Sequence, residues 1–341
     1  MSKTYKYSFL ALTLILVLCF FMNISLGSVS IPFKAVFNSL LNNGVAQESW
    51  QHIILNYRLP KAITAIIVGS GLGISGLLMQ TLFRNPLAGP FVLGISSGAS
   101  LGVALVILGS GVFGGVFASF FVTKWSIVIA ASLGSFLVLL SVLIVSTRVR
   151  DTMAILIIGL MFASITAAIV SVLSYFGSAQ QLQQYVFWGF GSLGNLSWSD
   201  LVIFLIIYLI GLLASVFSIK ALNTLLLGEN YAKSLGLNIK RSRLIIIIAT
   251  SLLAGTITAF TGPIAFIGLA IPHLTRQIFN SSNHKILLPA VFLLGGIVML
   301  ICDSISQLPN SDYTLPINAI TALIGAPVVI WLLVRKRGMV F

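Results

Sequence analysis

Charged residues are scarce in this sequence, and acidic ones are the scarcest. Only 7% of the 341 residues are Asp, Glu, Lys or Arg, whereas 58% are hydrophobic, and the mean hydropathy is +1.10. This composition excludes an ordinary soluble domain, in which about 25% of residues are charged. Apolar runs of about 20 residues recur, and each could cross about 30 Å of hydrocarbon as a helix. Because irregular backbone cannot face lipid, we predict an all-α, polytopic membrane protein.

Side chains that could perform chemistry are also few. The chain has three histidines and two cysteines, and Cys19 and Cys302 lie far apart, inside or at the edge of apolar runs. We interpret both cysteines as small core residues, so a disulfide is not expected. There is no zinc spacing, no HExxH, no catalytic triad signature and no GxxxxGK[ST] phosphate loop. The sequence therefore predicts no metal site, no cofactor and no enzyme, and any ATP that drives the protein must bind another chain.

The charge that remains is strongly basic, with 19 Lys and Arg against six Asp and Glu and a formal net charge of +13. No nucleic-acid partner follows, because the cations lie between apolar runs and not on one face of a domain. We predict ten spans within one transmembrane domain over residues 1–341. The spans are residues 9–27, 60–83, 91–109, 125–146, 153–176, 200–219, 244–261, 263–279, 286–307 and 315–334.

The distribution of cations between these spans predicts the orientation. With a cytoplasmic N-terminus, fifteen of the nineteen cations fall inside and four outside, so both termini are expected in the cytoplasm. The first run follows Lys3 and Lys6 and could be a signal peptide, but no clear cleavage site follows it, so we favour a retained span. Residues 111–123 are apolar but short, and they could extend the third span or fold back as a re-entrant piece.

One long polar loop interrupts the apolar pattern, Leu225–Arg243, with the sequence LLLGENYAKSLGLNIKRSR. Gly228 and Glu229 suit the start of a short helix, with the carboxylate at the positive end of its dipole. Gly236 is placed to end that helix in the αL conformation. Asn238 can cap a second short helix through Arg243, with its cations towards the C-terminal end.

Two interpretations of this loop are open. It could be a solvated basic loop that follows the positive-inside rule, or a platform on which a soluble partner docks, and we favour the platform. The residues assigned to the platform are Gly228, Glu229, Asn230, Lys233, Gly236, Arg241 and Arg243.

The predicted spans are rich in small residues and poor in ionisable ones. Gly94, Gly98 and Gly102 are spaced four apart and would form one stripe of the third span, where helix backbones can approach closely. No Lys, Arg, Asp or Glu lies near the centre of a predicted span, and Asp303 lies towards the outer end of the ninth. Ion-coupled carriers usually keep buried ionisable groups, so this absence weakens that mechanism.

Three stretches together resemble one family, the FecCD-type permeases of ABC transporters that import vitamin B12, haem and ferric siderophores. The first runs from Arg58 to Gly102 and contains RLPKAITAIIVGSGLGISGLLMQ and RNPLAGP. The second is the Leu225–Arg243 loop. The third is GPIAFIGLAIPHLTRQI, from Gly262 to Ile278, followed by NHKILLP and LPINAITALIGAPVVIWLL. The resemblance covers nearly the whole chain in the right order.

The resemblance implies a type II importer fold and a division of labour between subunits. Two permease subunits, expected to be a homodimer, would surround a central path in the cell (inner) membrane. Two separate ATPase subunits would dock on the cytoplasmic loop, and an extracytoplasmic binding protein would deliver the substrate. A ferric siderophore is the leading substrate, with haem and cobalamin behind it. The alternative is an ion-coupled secondary carrier or channel.

The resemblance also assigns roles to residues outside the loop. Arg58 and Lys61 would pair with carboxylates of the binding protein, although they could instead anchor the second span at the membrane interface. Four residues near the inner end of the path are its candidate lining: Met79, Gln80, Asn85 and Pro86.

Proline and glycine mark the turns of the third stretch. Gly262 and Pro263 predict a tight reversal between two helices, and Pro272 predicts a kink in the second. The chain departs from the family pattern at Gln307, where an arginine is frequent, and at Ala265, where GPIGF has become GPIAF. Thr314 and Asn318 replace the usual acid and glycine before the last span.

Overall fold

The computed structural model describes residues 3–41, 47–109, 122–148, 152–308, 311 and 313–334, and every regular element in that part is helical. The short apolar segment 111–123, except its last two residues, lies outside the described residues. The first half of the chain contains α1 (Lys3–Ser25), α2 (Phe33–Leu40), α3 (Glu48–Ile53), α4 (Leu59–Leu82), α5 (Ile95–Ile107), α6 (Lys124–Arg148), α7 (Thr152–Phe176) and α8 (Ala179–Gly189).

The second half contains the remaining helices. They are α9 (Trp198–Phe217), α10 (Ile219–Leu225), α11 (Glu229–Ser234), α12 (Ile239–Thr261), α13 (Ile267–Phe279), α14 (His284–Ser306) and α15 (Ile317–Val334). Among the described residues, seven helices are long and apolar enough to cross a membrane. This agrees with the prediction of a polytopic all-α membrane protein.

Two predicted spans are shorter in the structure than in the sequence interpretation. The helices α5 and α13 have 13 residues each, which is about 20 Å at 1.5 Å per residue and less than the hydrocarbon thickness. A 3₁₀ turn at Pro90–Leu93 and the left-handed Gly94 take up the start of the predicted third span. The loop from Gly262 to Phe266 does the same for the eighth.

The second span is longer than predicted. Helical backbone is continuous from Glu48 to Leu82, with a π-helical turn at Ile54–Arg58 between α3 and α4. Pro60 explains the π turn, because proline has no N–H and its ring clashes with the carbonyl four residues earlier. The wider turn accommodates this proline without ending the helix.

The chain forms two compact units. The first contains Met1–Leu77, Ser192–Ile206 and Ile264–Val340, and the second contains Leu78–Gly191 and Ile207–Pro263. The helices α4 and α9 each pass from one unit to the other.

In the first unit, glycines bring helix backbones into contact. A Cβ on Gly69 of α4 would collide with the backbone carbonyl of Gly295 in α14, and one on Gly76 would collide with that of Gly268 in α13. Because lipid provides no hydrophobic driving force between helices, close backbone approach stabilises their packing through van der Waals contacts. The helix α1 packs along α14, where Leu16 lies beside Gly296.

In the second unit, glycines bring the backbones of α5 and α6 into contact in the same way. Cβ atoms on Gly98 and Gly102 would collide with the backbone carbonyls of Gly134 and Ala130. Gly94 is not part of this stripe, because it precedes α5 with φ +76°. The predicted stripe of three glycines therefore consists of two, and the third makes the turn that starts the helix.

Candidate functional site

The Leu225–Arg243 loop contains the short helix that the sequence predicts. The helix α11 spans Glu229–Ser234, begins after Gly228 at φ +100° and ends before Gly236 at φ +81°. Leu237 N–H donates to the carbonyl of Ala232 at 3.0 Å, which closes the last turn. Positive φ favours glycine at both flanking positions, so the ends of α11 are set by residues that other side chains would strain.

The predicted second short helix is wrong. Asn238 does cap a helix, accepting the N–H of Arg241 at 3.0 Å, but that helix is the whole of α12, Ile239–Thr261. No helix-breaking residue separates Arg243 from the apolar run behind it, so the short helix and the span are one. The cations consequently lie near the N-terminal end of α12, where the dipole disfavours them, and Glu229 offsets this by pairing with Arg243 at 3.0 Å.

A groove of about 640 Å³ lies between this loop and the turn that follows α4, and we call it the coupling groove. It is lined by Leu82, Arg84, Leu225, Leu227, Gly228, Glu229, Asn230, Tyr231 and Ser234. Arg84 has φ +45°, an uncommon conformation for a side chain of its size. Its Nη1 lies 3.5 Å from the position that a Cβ on Gly228 would occupy.

Three exposed apolar side chains lie on and beside α11, and we call them the apolar patch. Tyr231 lies in the helix and is 56% exposed, and Leu227 and Leu235 flank it and are each 60% exposed. On the buried side, Ala232 packs inward and is fully covered. This surface lies among charged side chains, so exposed apolar groups here mark a contact site more readily than they would on a lipid-facing helix.

The structure places Arg58 and Lys61, assigned to docking of a binding protein, within the chain's own packing. Arg58 is only 9% exposed, and its guanidinium donates to the carbonyls of Ile24 at 2.8 Å, Ser25 at 2.9 Å and Val29. Lys61 Nζ lies 3.1 Å from Asp303 Oδ1. Both cations therefore already have partners inside the first unit.

Sequence reasoning missed a buried polar cluster around Asp303. This carboxylate is 1% exposed and accepts from Asn23 Nδ2 at 2.9 Å and Gln307 Nε2 at 2.7 Å, in addition to its ion pair with Lys61. We call these four residues the Asp303 cluster; they join α1, α4 and α14. The available signal was an acidic residue inside an apolar run, since such a group needs partners when it is removed from water.

The candidate path residues have different surroundings. Met79 and Gln80 are completely buried, so their side chains do not reach a surface that a passing molecule could touch. Asn85 and Pro86 are partly exposed, and Asn85 Oδ1 accepts the N–H of Leu87 at 2.9 Å. Of the four, these two have side chains that are accessible in the single chain.

The turn at Gly262 and Pro263 has the predicted character. Gly262 has φ +75° and ψ 178°, a region open essentially to glycine alone, and a Cβ there would lie 2.5 Å from the carbonyl of Trp188. Two residues at which the chain departs from the family pattern meet in this region: Ala265 N–H donates to Asn318 Oδ1 at 3.0 Å. Pro272 lies inside α13. Among the described residues, no three His, Cys, Asp or Glu side chains group as metal ligands.

Comparison with protein families gives one match over nearly the whole chain. The sequence model of the FecCD transport family matches residues 15–335. The matched region includes the Leu225–Arg243 loop, the Asp303 cluster and the turn at Gly262.

Individual relatives cover the chain almost from end to end. The hemin transport system permease protein HmuU of Yersinia pestis is 34% identical over 327 residues, covering 96% of this chain and 95% of that protein. The vitamin B12 import system permease protein BtuC of Klebsiella pneumoniae is 38% identical over 290 residues, 84% of each chain. An uncharacterized ABC transporter permease protein of Bacillus subtilis, YvrB, is 35% identical over 340 residues, covering 97% of this chain and 92% of that protein.

A solved structure shares the fold. A metal-chelate type ABC transporter, described as an inward-facing conformation, aligns with a TM-score of 0.83 at 30% identity. The alignment covers 97% of this chain and 99% of that one.

Proposed function

Since the chain belongs to the FecCD transport family, we propose that it is the permease subunit of an ATP-driven ABC importer. It is a multi-pass membrane protein, and we place it in the cell (inner) membrane with both termini in the cytoplasm. Two copies, as a homodimer, form the translocation path between them. The permease moves its substrate without making or breaking a bond, and ATP is hydrolysed on separate subunits.

The observation that best supports this proposal is the exposed helix α11. A six-residue helix is too short to persist alone in water, yet this one is held by Gly228, Gly236 and the Arg243–Glu229 ion pair. Tyr231 of this helix and Leu227 just before it are exposed to solvent. We propose that two ATPase subunits dock here. Closure of the ATPase pair around ATP then moves the docked helices and switches the path between outward-facing and inward-facing states.

The proposed substrate is a bulky metal chelate. The relatives are described as hemin and vitamin B12 permeases, and the solved structure as a metal-chelate type transporter. Among such cargoes we put iron–siderophore complexes first and haem and cobalamin next. An extracytoplasmic binding protein delivers the cargo, so the permease itself need not hold it tightly.

The outer face is the proposed site for that binding protein. Arg58 supports this face from beneath, because it ties together the carbonyls of Ile24, Ser25 and Val29 at the end of α1. Lys61, 22% exposed at its side chain, is the more accessible of the two cations. We therefore propose that the exposed part of Lys61 contacts the partner while its ammonium stays paired with Asp303, and we assign a supporting role to Arg58.

One observation favours the alternative of an ion-coupled carrier, namely the ion pair that joins the buried Asp303 of α14 to the partly exposed Lys61 of α4. The Asp303 cluster argues for a structural role instead, because Asn23 and Gln307 complete the hydrogen bonding of the carboxylate. A carboxylate that carries ions must exchange its partners during transport.

Uptake in a strain that lacks this gene would test the proposal. We would compare labelled ferric siderophores, haem and cobalamin, and restore the strain with the intact gene or with the Gly236→Val variant. We expect loss of one substrate, restored only by the intact gene. Residual uptake that collapses with the proton gradient but persists without ATP would support the ion-coupled carrier and overturn the importer.

A further inference from the structure

The coupling groove has two walls that are far apart in sequence. One is the loop from Leu225 to Ser234 around α11, and the other is the end of α4 with the turn that contains Arg84. Arg84 reaches across to Gly228, and its Nη1 lies 3.5 Å from the position of a Cβ there, which is an ordinary contact distance. A partner seated in the groove would therefore touch two segments at once.

Two of the residues that line this groove are charged, Arg84 and Glu229, and further cations lie on the loop outside the lining. The loop and Arg84 together carry five cations, which are Arg84, Lys233, Lys240, Arg241 and Arg243, against the single carboxylate of Glu229. Glu229 is already paired with Arg243. Within the described part of the chain, Arg84 forms no ion pair with a carboxylate, and it is exposed. Since Glu229 is paired with Arg243, the group that would complement the charge of Arg84 in this groove is an acidic one.

Two residues of the apolar patch, Leu227 and Tyr231, line the groove, and the third, Leu235, follows α11. Apolar and aromatic groups surrounded by charged ones are the usual anatomy of a protein interface, in which Tyr and Arg are enriched. An anionic lipid surface would also attract cations and apolar groups. The shape favours a protein, because Glu229, Asn230 and Ser234 give the concave groove polar walls.

Building on the proposed docking of the ATPase, we propose that the ATPase presents a carboxylate to Arg84 and an apolar contact to Leu227 and Tyr231. A guanidinium suits this role because its planar fork can bind a carboxylate bidentately. In this arrangement Arg84 joins the ATPase to the turn after α4. The movement that follows ATP binding is then transmitted to the chain at two points, α11 and this turn.

The test is the affinity between the full-length permease in lipid nanodiscs and its own purified ATPase subunit. We would compare the native chain with Arg84→Gln and Arg84→Glu, which keep a side chain at the same strained φ, so the backbone cost of that position stays similar. Lys285→Glu is the matched control. Lys285 is an exposed cation that is predicted on the same side of the membrane but does not line the groove.

We expect Arg84→Glu to weaken ATPase binding about tenfold at low salt, Arg84→Gln to weaken it less, and Lys285→Glu to change it less than twofold. High salt should shrink these differences, since the contact is electrostatic. Equal effects of Arg84→Glu and Lys285→Glu would overturn the inference.

Two further comparisons separate the ways in which the inference could fail. If Tyr231→Ala weakened ATPase binding and Arg84→Glu did not, α11 would remain the docking site and Arg84 would not be part of it. If neither variant altered ATPase binding, the proposed docking site itself would fail. An effect of Arg84→Glu that occurs with phosphatidylglycerol present, but vanishes in nanodiscs of phosphatidylcholine alone, would assign Arg84 to lipid.

Discussion

Two regions of this molecule treat their charged side chains in opposite ways. Around Asp303, the buried carboxylate has three partners within the chain, which are the partly exposed Lys61 and the amides of Asn23 and Gln307. Around α11, cations are exposed and outnumber the one carboxylate. A charge that is fully satisfied within its own chain contributes to the fold, whereas a surplus on an exposed surface is available to a partner. The two regions therefore predict mutants with different consequences, for stability in one and for association in the other.

The largest effect should come from Asp303→Ala. Without the carboxylate, Lys61 loses its ion pair and Asn23 and Gln307 lose an acceptor, so we expect a loss of about 3 kcal/mol in unfolding free energy. Thermal unfolding in detergent measures it. Glu48→Ala, which removes an exposed carboxylate, is the control and should change stability by less than about 0.5 kcal/mol. If the two variants were equally stable, the proposed difference between the Asp303 cluster and the loop around α11 would be wrong.

Arg58→Ala should rank second. It leaves the carbonyls of Ile24, Ser25 and Val29 without their donor, and we expect about 2 kcal/mol of destabilisation. Arg58→Lys should recover part of this, because a single ammonium cannot reach all three carbonyls in the same geometry. If Arg58→Ala leaves unfolding unchanged and instead abolishes binding-protein docking, Arg58 belongs with the exposed cations.

Gly236→Ala should have a smaller effect on stability and a clear effect on transport. Nothing lies within 4 Å of a Cβ built at Gly236, so the only cost is its φ of +81°, about 1–2 kcal/mol for an L residue. Gly189→Ala is a matched control, since its Cβ also meets open space but its φ is not positive. We expect uptake to fall in Gly236→Ala and to persist in Gly189→Ala. Equal uptake would show that the end of α11 does not matter.

The smallest stability effect should come from Leu227→Ser. This side chain is 60% exposed, so the change in unfolding free energy should stay within about 0.5 kcal/mol. ATPase binding should nevertheless weaken, because the apolar contact is lost. Unfolding and binding measured on the same preparation would show whether the two regions differ as proposed.

The sequence predicts a structural feature well when neighbouring residues determine it, and poorly when the feature depends on residues far apart in the chain. The ends of α11 were predictable because Gly228 and Gly236 act on their own backbone. The fusion of the predicted second helix with the span was missed because Asn238 looks the same before a short helix and before a long one. The Asp303 cluster could not be derived, since Asn23 and Lys61 lie more than 240 residues from Asp303 and only packing brings them together.

Position in the chain also gives little information on burial, as Met79, Gln80 and the helix α8 show. Met79 and Gln80 were chosen by their position in the chain, which does not reveal how deeply a residue lies. The helix α8 lies between two predicted spans, and none of its residues is buried. Its start carried a signal after all, because Ser178 and Gln181 form a reciprocal capping box.

The two cysteines have a practical consequence for experiments on this protein. Cys302 is fully buried and Cys19 is partly buried, and both lie in helices that are long and apolar enough to cross a membrane. A water-soluble maleimide added to the intact protein would therefore meet little native background. A single cysteine introduced at Leu227 or Leu235 would carry a fluorophore or spin label at a known position, and the movement of α11 during the ATP cycle could be followed directly.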